Sequence, residues 1–94
     1  MKLTRPLTKA ELAKYWSERA RYFEAADADL SQVTQMDSVG LAFLVQWSQA
    51  LANTGKTLEL RSPPAAFHSL AQLYGVGQLF TLTPNNPGSQ HGSE

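Results

Sequence analysis

The chain has 94 residues, 43% of them hydrophobic, with eight basic and eight acidic side chains that cancel and no cysteine. A chain of this length forms one domain around a single core layer. Zero net charge argues against nucleic acid as a partner, and the lack of cysteine removes disulfides, thiolate nucleophiles and thiolate metal sites. His68 and His91 are far apart in the chain, so no metal constellation and no cofactor site is expected. Met1 to Pro6 lacks the apolar core of a signal peptide, and no apolar run reaches membrane-spanning length. The expectation is a cytoplasmic chain with no direct membrane insertion.

Thr8-Lys9-Ala10-Glu11 matches a capping box. Leu12, Trp16, Ala20 and Phe23 then recur at helical spacing, with Tyr15 and Tyr22 alongside, which predicts one amphipathic helix over 8–24. In residues 25–31, Ala26, Ala28 and Leu30 alternate with Asp27 and Asp29, so a strand is predicted although Ala and Asp are poor strand formers. Leu41, Leu44, Val45, Ser48, Leu51 and Ala52 line one face of a helix over 38–54, and Gly55 stops it. Lys56 to Arg61 alternates polar and apolar as a strand. Ser62-Pro63-Pro64 opens a third helix with Phe67, Leu70, Ala71 and Tyr74 on its apolar side, Gly75-Val76-Gly77 breaks it, and 78–82 forms a short last segment. His68 has no visible partner and is expected at a solvated rim. Residues 83–94 are rich in Pro, Asn, Gly and Ser and are expected to be a disordered tail beyond a domain spanning 1–82. The core is expected to bury Leu12, Trp16, Leu41, Leu44, Val45, Leu58, Leu60 and Leu70.

The candidate site is the start of the helix over 38–54. Asp37 and Ser38 are both preferred N-cap types, and a hydroxyl there sits at the positive end of a helix dipole, where negative charge is tolerated. A plain helix cap remains open as the whole explanation. Phe43 and Trp47, one turn apart, fall off the apolar stripe. They suggest a contact surface, unless the stripe is simply broad, and the residues leave both open. A catalytic serine would need a base and an oxyanion site. No sequence argument brings either histidine to Ser38, so no enzyme is expected.

The order of elements, with the run Asp29-Leu30-Ser31-Gln32-Val33-Thr34-Gln35-Met36-Asp37-Ser38-Val39-Gly40-Leu41, resembles the STAS domain. Ala52-Asn53-Thr54-Gly55-Lys56 joins that resemblance, and Leu70-Ala71-Gln72-Leu73-Tyr74 looks most like the MlaB branch. The resemblance implies an α/β fold: a small mixed sheet with helices packed mainly on one side. STAS domains usually open with one more strand before the segment matching Met1 to Leu7. Its lack here would leave a sheet edge open. The strand matching 25–31 is also normally richer in Val and Ile. In the MlaB branch the implied partner is a transporter ATPase of the MlaF type and, through it, a membrane permease. The chain would then lie peripherally at the inner membrane as part of a phospholipid ABC transporter. In the antagonist branch a serine matching Ser38 is phosphorylated by an anti-sigma kinase. Asp37, Ser38, Val39, Phe43 and Trp47 are the expected partner-binding residues, with Ser38 the candidate phosphorylation site.

Overall fold

Residues 1–83 are described by the computed structural model. An extended N-terminal segment leads into α1 (Lys9–Ser17) and α2 (Arg19–Glu24), followed by β1 (Asp27–Asp29), α3 (Ser38–Ala52), β2 (Leu58–Arg61) and α4 (Ala65–Tyr74). A 3-10 turn at Gly77–Leu79 then precedes β3 (Phe80–Thr83). Gly55 and Gly75 take the left-handed conformations, φ 78° and φ 68°, that follow α3 and end α4. Both boundaries were legible because glycine adopts that conformation without a Cβ clash.

The three strands lie in the order β1-β2-β3 and all pair parallel, Ala28 against Leu60 and Leu60 against Leu82. Each crossover passes through a helix, as parallel neighbours require. Ala28, Leu58, Leu60 and Phe80 are buried on one face of the sheet. Asp27, Asp29, Glu59 and Arg61 occupy the other, which explains a strand built from Ala and Asp: its side chains need to be apolar on one face only. Arg61 lies 3.7 Å from Asp27 and 3.4 Å from Glu59, relieving the repulsion of two carboxylates in register. The edge of β1 is not left open. Leu3 N–H donates to the Asp29 carbonyl at 3.1 Å, and Asp29 N–H donates to the Met1 carbonyl at 2.7 Å.

Several expectations change. The single helix over 8–24 is two helices, broken at Glu18, where φ is −106° and ψ 14°. The capping box does not form, because the Thr8 side chain makes no capping bond. Across the break Tyr15 and Tyr22 become the buried side chains, while Trp16 stays 42% exposed. The tail boundary moves as well: Thr83 belongs to β3, its carbonyl accepting from Ser62 N–H at 2.9 Å, and 84–94 lie outside the described residues.

A further change concerns α3. It is buried on two sides, contacting β2 and α4 as well as α1 and α2. Leu41, Leu44 and Leu51 are buried together with Phe43, 2% exposed, and Trp47, 0% exposed. Phe43 and Trp47 stack with Tyr15, Tyr22 and Phe23 at ring separations of 5.3 to 6.5 Å. Trp47 Nε1–H donates to the Ala25 carbonyl at 2.9 Å. These two aromatics hold α1 and α2 onto α3, so neither is a surface anchor. Of the other expected core residues, Leu41, Leu44, Leu58 and Leu60 are buried, and Leu12, Val45 and Leu70 are partly so.

Candidate functional site

Asp37 caps α3 from the extended region, φ −124° and ψ −176°, with Oδ1 accepting from Gly40 N–H at 3.0 Å. Its second oxygen, Oδ2, accepts from Lys9 N–H at 2.9 Å. One carboxylate therefore caps two helices, supplying for α1 what Thr8 does not. The backbone closes the same joint, Asp37 N–H donating to the Leu7 carbonyl at 3.0 Å and Leu7 N–H to the Gln35 carbonyl at 3.0 Å. Burial is the largest single influence on the Asp37 carboxyl and pushes its pKa upward. The N–H groups of Lys9, Gly40, Val39 and Asp37 together outweigh it and hold the carboxyl below its ordinary value.

Gly40 has its own reason to be there. A Cβ at this position would meet the Leu7 carbonyl oxygen 1.9 Å away and the Leu7 carbonyl carbon 2.5 Å away. The first turn of α3 lies directly on the backbone entering α1, and only glycine fits that approach.

With Asp37 as cap, Ser38 is left free at the first helical position, and its side chain is exposed. It borders an apolar groove of about 310 Å³ whose lining includes Leu41, Ala42, Val45, Tyr74 and Val76. A second groove, also about 310 Å³, lies between Val39, Ala42 and Gln46 and the α1 residues Leu12 and Trp16, with the buried Phe43 also in its lining. Ala42 and Gln46 line both, so the grooves meet along α3. Ser38 and Val39 thus sit where a partner could reach them, while Asp37 is committed to the fold.

Trp16 and Tyr74, 42% and 55% exposed, replace Phe43 and Trp47 as the aromatics of this face. A signal for the face was present in the sequence: no charged residue occurs from Ser38 to Gly55 or from Ser62 to Thr83. Leu73, 73% exposed, extends the apolar character along the end of α4. His68 is exposed and sets its ring against Phe67. Among the described residues no group of three or more His, Cys, Asp or Glu could hold a metal ion, and no helix is long and apolar enough to cross a membrane.

A search of curated proteins finds no match. A solved structure from Thermotoga maritima, provisionally named an anti-sigma factor antagonist, shares the fold with a TM-score of 0.69 at 17% identity, over 98% of this chain and 84% of that one. A family model described as MlaB, STAS domain, matches residues 7–84. That match takes in both capped helix starts, the sheet and α4, and with it the chain belongs to the STAS-domain family.

Proposed function

We propose that the chain is a non-catalytic STAS adaptor that binds and regulates the ATPase subunit of an Mla-type phospholipid ABC transporter, at the cytoplasmic face of the inner membrane. The observation that carries this reading is an exposed Ser38 beside an uncharged apolar groove, one wall of which is Tyr74. Tyr74 ends the Leu-Ala-Gln-Leu-Tyr segment whose likeness is to the MlaB branch, and the matching family model is of that type. An apolar, charge-poor surface suits a lasting subunit contact more than a transient encounter.

A second reading, an anti-sigma-factor antagonist switched by phosphorylation of Ser38, is favoured by the name given to the Thermotoga maritima neighbour and by the exposure of the hydroxyl. Co-purification separates the two. Under the first reading the tagged chain retains an MlaF-like ATPase and changes its ATP turnover. Tyr74→Ala and Ser38→Glu should each weaken that capture about tenfold or more while the domain stays folded. Failure to retain the transporter ATPase, with ATP-dependent phosphorylation of Ser38 by an anti-sigma kinase, would overturn the first reading in favour of the second.

A further inference from the structure

The exposed row Ser38, Ala42 and Gln46 runs along α3 at spacings of four residues, about 12 Å end to end at 1.5 Å per residue. A groove lies on either side of it, with Trp16 walling one and Tyr74 the other. The row is low where it carries Ser and Ala, so a second backbone can approach to the 8–10 Å of packed helices. Ser38 to Gly55 brings no charge to this surface. On the rim, the Arg19 guanidinium lies 4.5 Å from the centre of the Trp16 ring, and Arg19 Nη1 donates to the Trp16 carbonyl at 2.9 Å. Among the described residues Arg19 makes no ion pair.

We propose that this trough seats a single amphipathic α-helix of the partner, with apolar side chains in both grooves and a carboxylate over Arg19. The proposal rests on this face being the partner surface, and it is independent of which protein supplies the helix. A helix fits where a strand does not, because α1, α3 and α4 offer side chains here and no sheet edge. A second copy fits poorly: an isologous pair would set trough against trough and fill neither. The unpaired rim cation selects an acidic flank on the incoming helix.

Synthetic helices test this on the full chain without any presumed partner. The probe is a helix-stabilised peptide of about four turns, with Leu at i, i+3, i+4 and i+7 and Glu on one flank. It should shift the exposed Trp16 emission to the blue and perturb the backbone amide resonances of Val39, Ala42 and Gln46. The same peptide with Lys for Glu should bind at least fivefold more weakly, and a proline-broken version should not bind. Arg19→Glu should reverse the Glu-over-Lys preference. Ala42→Trp, at an exposed helix position, should block both grooves and leave the circular dichroism unchanged; Tyr74→Ala, which removes a groove wall and should weaken binding, is the second blocking variant should Ala42→Trp unfold. No binding at millimolar peptide, perturbation confined to other surfaces, or binding indifferent to both blocking variants would overturn the proposal. So would a dimer in sedimentation that Ala42→Trp abolishes, since a second copy would then fill the face. Peptide binding without capture of the transporter ATPase would sink the functional reading and leave the trough standing.

Discussion

Asp37 and Ser38 are adjacent, yet they have opposite consequences for stability. Each helix cap is worth about 0.5–2 kcal/mol, so Asp37→Ala, which removes two, should lower unfolding stability by about 1–4 kcal/mol in urea titrations. Ser38→Ala removes an exposed hydroxyl that caps nothing and should stay within about 0.5 kcal/mol of wild type. The pH dependence follows from a carboxyl whose folded-state value is depressed. Its stabilisation is fully present above the ordinary aspartate value of 3.8 and is lost as pH falls through the lower folded value. Wild type and Asp37→Ala should therefore differ most near neutrality and converge in acid. Equal stabilities at neutral pH would contradict the double cap. Gly40→Ala should be far worse than Ser38→Ala and at least comparable to Asp37→Ala, because Leu7 backbone, which cannot rotate aside, occupies the space; a loss of about 3 kcal/mol or failure to fold is expected.

At the scale of elements, α3 is the shared support of the molecule, touching α1, α2, α4 and β2. Its aromatic side is energetically part of the core. Phe43→Ala should cost about 3–5 kcal/mol, a large share of the roughly 5–15 kcal/mol that holds a small domain folded. Trp47→Phe keeps most of the packing but leaves the Ala25 carbonyl without its donor, for about 1–3 kcal/mol. Both changes should appear as a lower thermal midpoint before any effect on binding. A Phe43→Ala protein that melted like wild type but lost its partner would restore the surface role that the structure denies it. Tyr15 belongs to the same cluster. Its hydroxyl donates to the Arg5 carbonyl at 2.6 Å, and burial, with Tyr22 beside it, pushes its pKa up to about 12, so it stays protonated in any physiological medium.

Across the whole molecule, charge is segregated. The open face of the sheet carries Asp27, Asp29, Glu59 and Arg61, whereas α3 and α4 carry no charge. The ion pairs on that face are half exposed and each is worth at most about 1 kcal/mol, so Arg61→Ala should shift stability little and 1 M salt should shift it less still. Binding through the uncharged face should likewise tolerate salt, apart from whatever a carboxylate contributes over Arg19. A steep loss of partner affinity between low and high salt would point to the charged sheet face as the docking surface.

Local physics made much of this legible in the chain. The ends of α3 and α4 were readable from Gly55 and Gly75, β2 from strict alternation, and the start of α3 from cap-type residues ahead of an apolar run. Sequence likeness supplied the family. Tertiary structure alone decided what depends on distant partners. Thr8 makes no side-chain cap, and the first-turn Lys9 N–H is met instead by Asp37, 28 residues away. Phe43 and Trp47 became core because a break at Glu18 laid two aromatic helices against the second face of α3, and a periodic stripe read on one helix cannot count how many neighbours that helix will have. Trp16, with the same spacing and chemistry as a core residue, stays exposed because α1 turns its neighbour Tyr15 onto Phe43 instead. A helical period tells which residues share a face, and only packing tells which faces are covered.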